Sequence, residues 1–416
     1  MAQKPINEKA IIQNMTQDDL YKEIYKLPKT DLHCHLDGSL RLDTIISLIK
    51  KTGMPYPVDR EQLRKLVVKD DPDFIKNSSL GDYLQAFGIT TSVMQDQESL
   101  EQIAYEVAED AAQENVRYLE LRFAPILHTN RGMSLEDITS AVSEGLARAE
   151  KDFDIITGII ICAMRHYVPC GIEDNLLRSL PYGDLEDGAW LMALQTARHT
   201  VNMAKKNHRI VGFDLAGGEE DNPAKDYKKA FYTATNGLVP ITVHAGEAVG
   251  AESILESVHY LHVKRIGHGT NLYKDEVLMN YFKNERIPLE VCLTSNLQTN
   301  HELFNYGKHP LGIYLNHRLR TVLCTDNRLV SNTTVSKELY IAAKVFDLDL
   351  DYVKLMVMHG FNATLHNTYY PKSNNSYDKL RDFRSAVEKE LKYGEVLEEI
   401  NRRFDAAAAA EDKKGK

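Results

Sequence analysis

The sequence is short of several features, and each shortage narrows what the chain can be. It has no excess of positive charge: 50 Lys and Arg stand against 60 Asp and Glu in 416 residues, a formal net charge of −10. Without a broad positive field, nucleic acid and anionic membrane surfaces are disfavoured partners. A small ligand in a cleft stays open. The five cysteines (Cys34, Cys162, Cys170, Cys292, Cys324) are odd in number and form no C-x-x-C pair. That argues against a disulfide framework or a cysteine-ligated structural zinc, and a cytoplasmic setting is expected. No stretch approaches the roughly 18 uninterrupted apolar residues of a membrane-spanning helix, and Met1 to Gln13 lack a signal-peptide apolar region. Neither export nor membrane insertion is expected. There is no internal repeat, and no G-x-G-x-x-G follows the first apolar run, so an open dinucleotide-binding sheet lacks its usual mark.

What the chain does contain is an alternation. Short runs rich in β-branched residues fall at 29–35, 116–123, 156–164, 210–215, 240–245, 265–268, 287–293 and 320–325, separated by longer stretches with apolar residues at helical spacing, such as 98–115 and 135–151. Eight strands alternating with helices predict an α/β fold of the closed parallel kind, a TIM (β/α)₈ barrel. The gap from 36 to 115 is far longer than one βα unit needs and predicts extra helices between strands 1 and 2, over the barrel mouth. Within it 80–87 (LGDYLQAF) reads as a short amphipathic helix. The expected organisation is an N-terminal helical segment at 1–28, the barrel at 29–394 and a helical tail at 395–416, whose alanine run and KKGK ending should fray.

The polar residues at the ends of these runs carry the chemistry. His33 and His35 are two apart on a strand and so point to one face. Other runs end in His244-Ala245-Gly246-Glu247, Gly267-His268-Gly269 and Thr325-Asp326-Asn327. In a TIM barrel the C-terminal strand ends share one face, where catalytic groups gather. Three imidazoles and one carboxylate suit Zn²⁺ and would lower the pKa of a bound water to about 7. The competing explanation is that these groups merely satisfy one another across the mouth. It is tenable for each alone and weaker for the set. No lysine ends the fourth run (Ile210 to Leu215), so a single ion is expected rather than a lysine-bridged pair. Glu247 is either a proton donor beside a desolvated pocket or an ordinary loop glutamate.

Taken together, Thr30-Asp31-Leu32-His33-Cys34-His35-Leu36-Asp37-Gly38-Ser39, Asp214-Leu215-Ala216-Gly217, His244-Ala245-Gly246-Glu247, Ile266-Gly267-His268-Gly269 and Thr325-Asp326 resemble the motifs of the adenosine deaminase family. The resemblance runs from about Lys29 past Asp326. It implies one Zn²⁺ per chain on His33, His35, His244 and Asp326, with Glu247 donating a proton to purine N1. It further implies that His268 orients the attacking water and that Asp326 helps as base. His35, Asp37, Gly217 and Asn327 would face the substrate, Asp37 at the ribose 5′-hydroxyl and Gly217 through its N–H at N3. The P-C-x-x-C signature of cytidine-type deaminases is missing.

Two positions depart from the family pattern. Many members carry Asp-Asp where this chain has Asp326-Asn327; an asparagine amide donates to N7 without any protonation, so a purine is still accommodated. The following stretch, Arg328 to Thr334, replaces a Pro-containing continuation and reads as a reshaped pocket rim. Leu80, Tyr83 and Phe87 match the family's apolar lid, although such spacing also suits plain core. The expected activity is hydrolysis of adenosine and 2′-deoxyadenosine to the inosine product and ammonia, with a purine nucleoside as partner. The alternatives are a related deaminase of adenine, an aminofutalosine-type nucleoside or N6-methyl-AMP, a metal-dependent amidohydrolase of other substrates, or a catalytically silent nucleoside binder.

Overall fold

The computed structural model describes residues 8–77, 79–165, 185–303, 305–369 and 375–414. Cys170 lies outside them. The eight expected runs are all strands: β1 (Lys29–His35), β2 (Val116–Phe123), β3 (Ile156–Met164), β4 (Ile210–Ala216), β5 (Thr242–Ala245), β6 (Arg265–His268), β7 (Leu289–Val291) and β8 (Thr321–Leu323). β5 and β7 start later than the apolar runs suggest. Pro240 opens the first of those runs and Pro288 is second in the other, and both lack the N–H a ladder needs, though their carbonyls still accept from Phe213 (3.0 Å) and Ile266 (3.1 Å).

The strands pair in parallel as two four-stranded sheets, β1-β2-β3-β4 and β5-β6-β7-β8. Isolated parallel bridges join them on both sides, Phe213 to Ile241 and Cys34 to Asp326. At the second seam His35 N donates to Asp326 O and Asp326 N donates to His33 O, each at 2.7 Å. The ring is therefore closed, and the fold is the expected TIM barrel.

The long β1–β2 connection holds the predicted extra helices, Leu42–Thr52, Arg60–Val67, Pro72–Asn77, Leu80–Leu84 and Ala86–Ser92, before the outer helix Gln97–Gln113. Gly53, at φ 69°, ends the first in the left-handed cap that only glycine adopts freely. At the other end of the barrel, buried Lys29 donates to the carbonyls of Ile24 (3.1 Å), Tyr25 (2.9 Å) and Leu27 (2.7 Å), fastening helix Asp19–Lys26 to β1. The last helix, Tyr393–Lys414, buries Val396 and Ile400 against Leu355.

The barrel interior holds charge as well as hydrocarbon. Arg122 donates to Asp214 (3.0 Å) and to Glu290 (2.7 Å), while Arg265 donates to Glu290 (2.5 Å), to the Ala363 carbonyl (2.7 Å) and to Glu120. All five side chains are buried. Desolvated charges are tolerable only when each is paired and hydrogen-bonded, and removing one partner strands the others. Arg265→Met is therefore expected to lower the unfolding free energy by roughly 3–5 kcal/mol, measured by urea denaturation. A loss below about 1 kcal/mol would show that the network contributes little.

Candidate active site

Each functional side chain sits where a strand stops. β1 carries an irregularity between Asp31 and Cys34, where three residues span two on β2, and both His33 and His35 still face the mouth, with ring centroids 5.3 Å apart. His268 and Asp326 have φ of 62° and 58°, a left-handed conformation uncommon for non-glycine residues. For Asp326 the β1 seam fixes it. His33, His244, His268 and Asp326 bring one potential ligand atom each within 4.8 Å of one another. His35 Nε2 lies 3.0 Å from His244 Nε2 and 3.4 Å from Asp326 Oδ1, and His33 Nε2 lies 3.5 Å from that same oxygen. The strand ends thus converge as the sequence predicts, but with five candidate ligands for a centre that takes four.

Hydrogen bonds on the far side of three of the rings set His268 apart from His33 and His244. Neutral imidazole carries one proton, so fixing one nitrogen decides the other. His33 Nδ1 meets Glu290 Oε2 at 2.7 Å, and His244 Nδ1 meets Asp214 Oδ2 at 3.0 Å. Carboxylates only accept, so both Nδ1 atoms donate and both Nε2 lone pairs face the centre. His33 Nε2 is buried with no hydrogen-bond partner among the described residues, which suits a ring nitrogen that ligates a cation.

His268 is set the opposite way. The Leu311 N–H donates to His309 Nδ1 (3.0 Å), so the His309 proton sits on Nε2 and goes to Asn296 Oδ1 (3.2 Å). Asn296 Nδ2 then donates to His268 Nδ1 (3.0 Å), leaving the His268 proton on Nε2. Burial, followed by the neighbouring His33, holds His268 well below the usual histidine range and therefore neutral. A protonated Nε2 has no lone pair for a metal. The donor chemistry fits a metal held by His33, His35, His244 and Asp326, with His268 beside it as a hydrogen-bond donor.

Glu247 is buried, accepts from Thr299 Oγ1 (3.0 Å), and has its other oxygen 3.5 Å from His268 Nε2. Burial, helped by the charge of Asp326, pushes it up to about 8, so it is mostly protonated at neutral pH. Burial likewise pushes Asp37 up to about 7. Asp37 Oδ1 and Asn327 Oδ1 are buried without a hydrogen-bond partner among the described residues. Both line a cavity of about 290 Å³, together with Gly217, His35, Glu247 and His268. Gly38 lets Asn327 in, since a Cβ there would stand 1.7 Å from the Asn327 oxygen.

Leu80, Tyr83 and Phe87 wall the same cavity. Tyr83 both lines the cavity and belongs to the core: it is buried and its hydroxyl lies 2.7 Å from Ser331 Oγ. The stretch after Asn327 is only partly a pocket rim. Arg328 turns away to Glu114 (2.6 Å) and Asp31 (3.5 Å), and Ser331 is the residue that meets Tyr83.

The family profile described as adenosine deaminase matches residues 28–180 and 189–368. The chain belongs to the adenosine deaminase family. It is 36% identical over 358 residues to an adenosine deaminase of Clostridium botulinum (strain Langeland), covering 85% of this chain and 98% of that one. An amidohydrolase from Burkholderia ambifaria, solved with bound Zn, superposes with a TM-score of 0.72 at 21% identity, covering 92% of this chain and 94% of that one. An Arabidopsis N6-mAMP deaminase does so with a TM-score of 0.70 at 24% identity, over 88% and 99%. At these identities the two structures speak for the fold alone.

Within this adenosine deaminase family member, sequence reasoning picked out the residues facing the cavity but passed over those behind them. Glu290, Arg122, Asn296 and His309 received no role, and Asp214 was only part of a motif. One signal was available: Glu290 is a lone charge between Leu289 and Val291 in a buried strand. Glu290→Gln, which can turn an amide N–H toward His33 Nδ1, is expected to weaken metal affinity by roughly 10–100-fold in a chelator competition assay. An unchanged affinity would show that Glu290 does not set the His33 tautomer.

Proposed function

We propose that this chain hydrolyses adenosine and 2′-deoxyadenosine at C6, releasing ammonia and leaving the corresponding inosine, with one zinc ion per chain. The observation that carries this reading is the pair formed by Glu247, a buried carboxyl protonated at neutral pH, and His268, whose Nε2–H points to the same place. An aromatic amine leaves poorly and C6 is a weak electrophile, so the ring must be drawn toward cation character while water is made nucleophilic. A zinc ion on His33, His35, His244 and Asp326 supplies the Lewis acidity for the second requirement.

The chain's own groups supply the rest. Glu247 gives its proton to N1, which removes the aromatic resistance to attack at C6. His268 Nε2–H holds the incoming oxygen and steadies its developing charge. Asp326, whose Oδ2 accepts from Ser295 Oγ (2.5 Å), has Oδ1 turned to the imidazoles and takes the proton of the attacking water. That proton passes to the departing nitrogen, the C6 hydroxyl proton restores the Glu247 carboxyl as the keto group forms, and water and nucleoside become inosine and ammonia with no redox partner. The Gly217 N–H meets N3, Asn327 meets N7 and Asp37 meets the 5′-hydroxyl. Leu80, Tyr83 and Phe87 exclude water.

A nucleoside is favoured over a nucleotide for an electrostatic reason. The described cavity lining contains Asp37, Glu247 and Asp326 and neither Lys nor Arg, so a 5′-phosphate meets acid and finds no counter-charge. Because Asp37 is raised to about 7, its repulsion grows as pH rises through that value. The preference for adenosine over AMP in kcat/KM is thus expected to widen between pH 6 and pH 8; comparable turnover of the two at pH 8 would favour a nucleotide substrate instead.

The direct test is an ammonia-release screen over adenosine, deoxyadenosine, adenine, AMP and N6-methyl-AMP, with metal analysis of the same sample. Turnover is expected to be highest with the two nucleosides. It should fall above about pH 8, because a raised carboxyl keeps its proton below its pKa and loses it above. Glu247→Gln is expected to retain the metal and lose activity by roughly 10² or more. Full activity in that variant would remove Glu247 from the mechanism.

A further inference from the structure

The turn that carries Glu247 is gripped by a carboxylate from the neighbouring βα loop. Glu219 lies just beyond β4, buried at 5% exposure. One of its oxygens accepts from the backbone N–H of Gly246 (2.6 Å) and from Ser253 Oγ. The other accepts from the N–H groups of Glu247 (3.0 Å), Ala248 (2.9 Å) and Val249 (3.0 Å). Four consecutive amides aimed at one anion form a nest, and the anion holds the backbone in that shape. The carbonyl side of the turn is held from the β6 loop: Thr270 Oγ1 donates to Gly246 O (2.6 Å) and Asn271 Nδ2 to Val249 O (2.9 Å). Gly246, at φ 70°, takes the bend, and a Cβ there would lie 2.4 Å from Ile254.

Helix capping does not account for this arrangement. Helix Ala251–Leu261 begins after the four amides, and only Ser253 belongs to it. What the four amides share is the backbone of the proposed proton donor. Resting on the deaminase reading above, we infer that Glu219 is a positioning residue: its carboxylate fixes the 246–249 turn so that the Glu247 carboxyl is held at the ring nitrogen it protonates. A glutamine cannot substitute, because its NH₂ would face amide donors where an oxygen is required.

The test compares wild type with Glu219→Gln as full-length, metal-loaded protein. Hydrogen exchange is expected to accelerate by about tenfold or more at the amides of 246–249, as for one lost hydrogen bond, and to stay unchanged in the barrel strands. kcat on adenosine should fall by about 10²-fold with KM little altered, since the substrate contacts remain. Glu219→Asp, which keeps the charge one methylene short, should recover part of kcat. Unchanged exchange at 246–249, or faster exchange with wild-type kcat, overturns the proposal, as does a kcat loss that merely tracks a falling folded fraction. Should Glu219→Gln not fold, Ser253→Ala removes one donor from the same carboxylate, and a wild-type kcat with unaltered exchange there also counts against the clamp. If wild type releases no ammonia from any of the purines, the deaminase reading fails. The exchange comparison then still decides the clamp by itself.

Discussion

Two backbone hydrogen bonds between the end of β1 and Asp326 do more than any other contact in this protein. They close the ring of strands, and they place His33 and His35 opposite a carboxylate far away in sequence. The bond partners are the candidate ligands themselves, so the contact that closes the barrel also brings those side chains together. The left-handed backbone at Asp326 follows from the same requirement, because the chain must leave β8 and meet β1 within a residue or two. Such local strain persists where surrounding bonds over-determine it.

Behind this rim the barrel is filled by an ionic network, and the network has a directional effect. Arg122 and Arg265 keep Glu290 ionised, and His244 and Arg122 keep Asp214 so, in a place where isolated carboxylates would take up protons. Burial alone would raise Glu290, yet the two guanidinium groups hold it well below the usual carboxylate range. An ionised acceptor then dictates where the proton sits on His33, as Asp214 does on His244. The chain from the Leu311 amide through His309 and Asn296 imposes the opposite choice on His268. Three histidines with the same chemistry are thereby set in two different tautomers by groups behind the cavity.

The acids at the mouth have the contrary environment. No cation stands beside Glu247 or Asp37 in the described lining, and burial keeps both carboxyls high. One protein thus holds two populations of buried carboxyl groups. Asp214 and Glu290 inside the barrel are paired with arginine and held low; Glu247 and Asp37, facing the cavity with no cation beside them, are pushed up by burial. Leu80, Tyr83 and Phe87 line the same cavity, with Tyr83 seated on Ser331 of the β8 loop. Arg328, in the same loop, is used to tie that loop to Asp31 and Glu114 below the rim.

Much of this was legible in the amino-acid order. Short β-branched runs located eight strands, and the overlong gap between the first two announced the inserted helices, because burial on both faces leaves its mark directly on residue choice. Strand ends in His, Glu and Asp marked the mouth, since a barrel collects those ends on one face. The sequence by itself could not distribute roles among five convergent ligands, nor say that Glu247 is protonated. It likewise could not connect Glu219 to the turn carrying Glu247. Those outcomes depend on distances of about 3 Å between residues from different strands, on which nitrogen of a ring meets which acceptor, and on how much water is excluded. Local pattern records which face of an element is buried; only the folded chain decides what it is buried against.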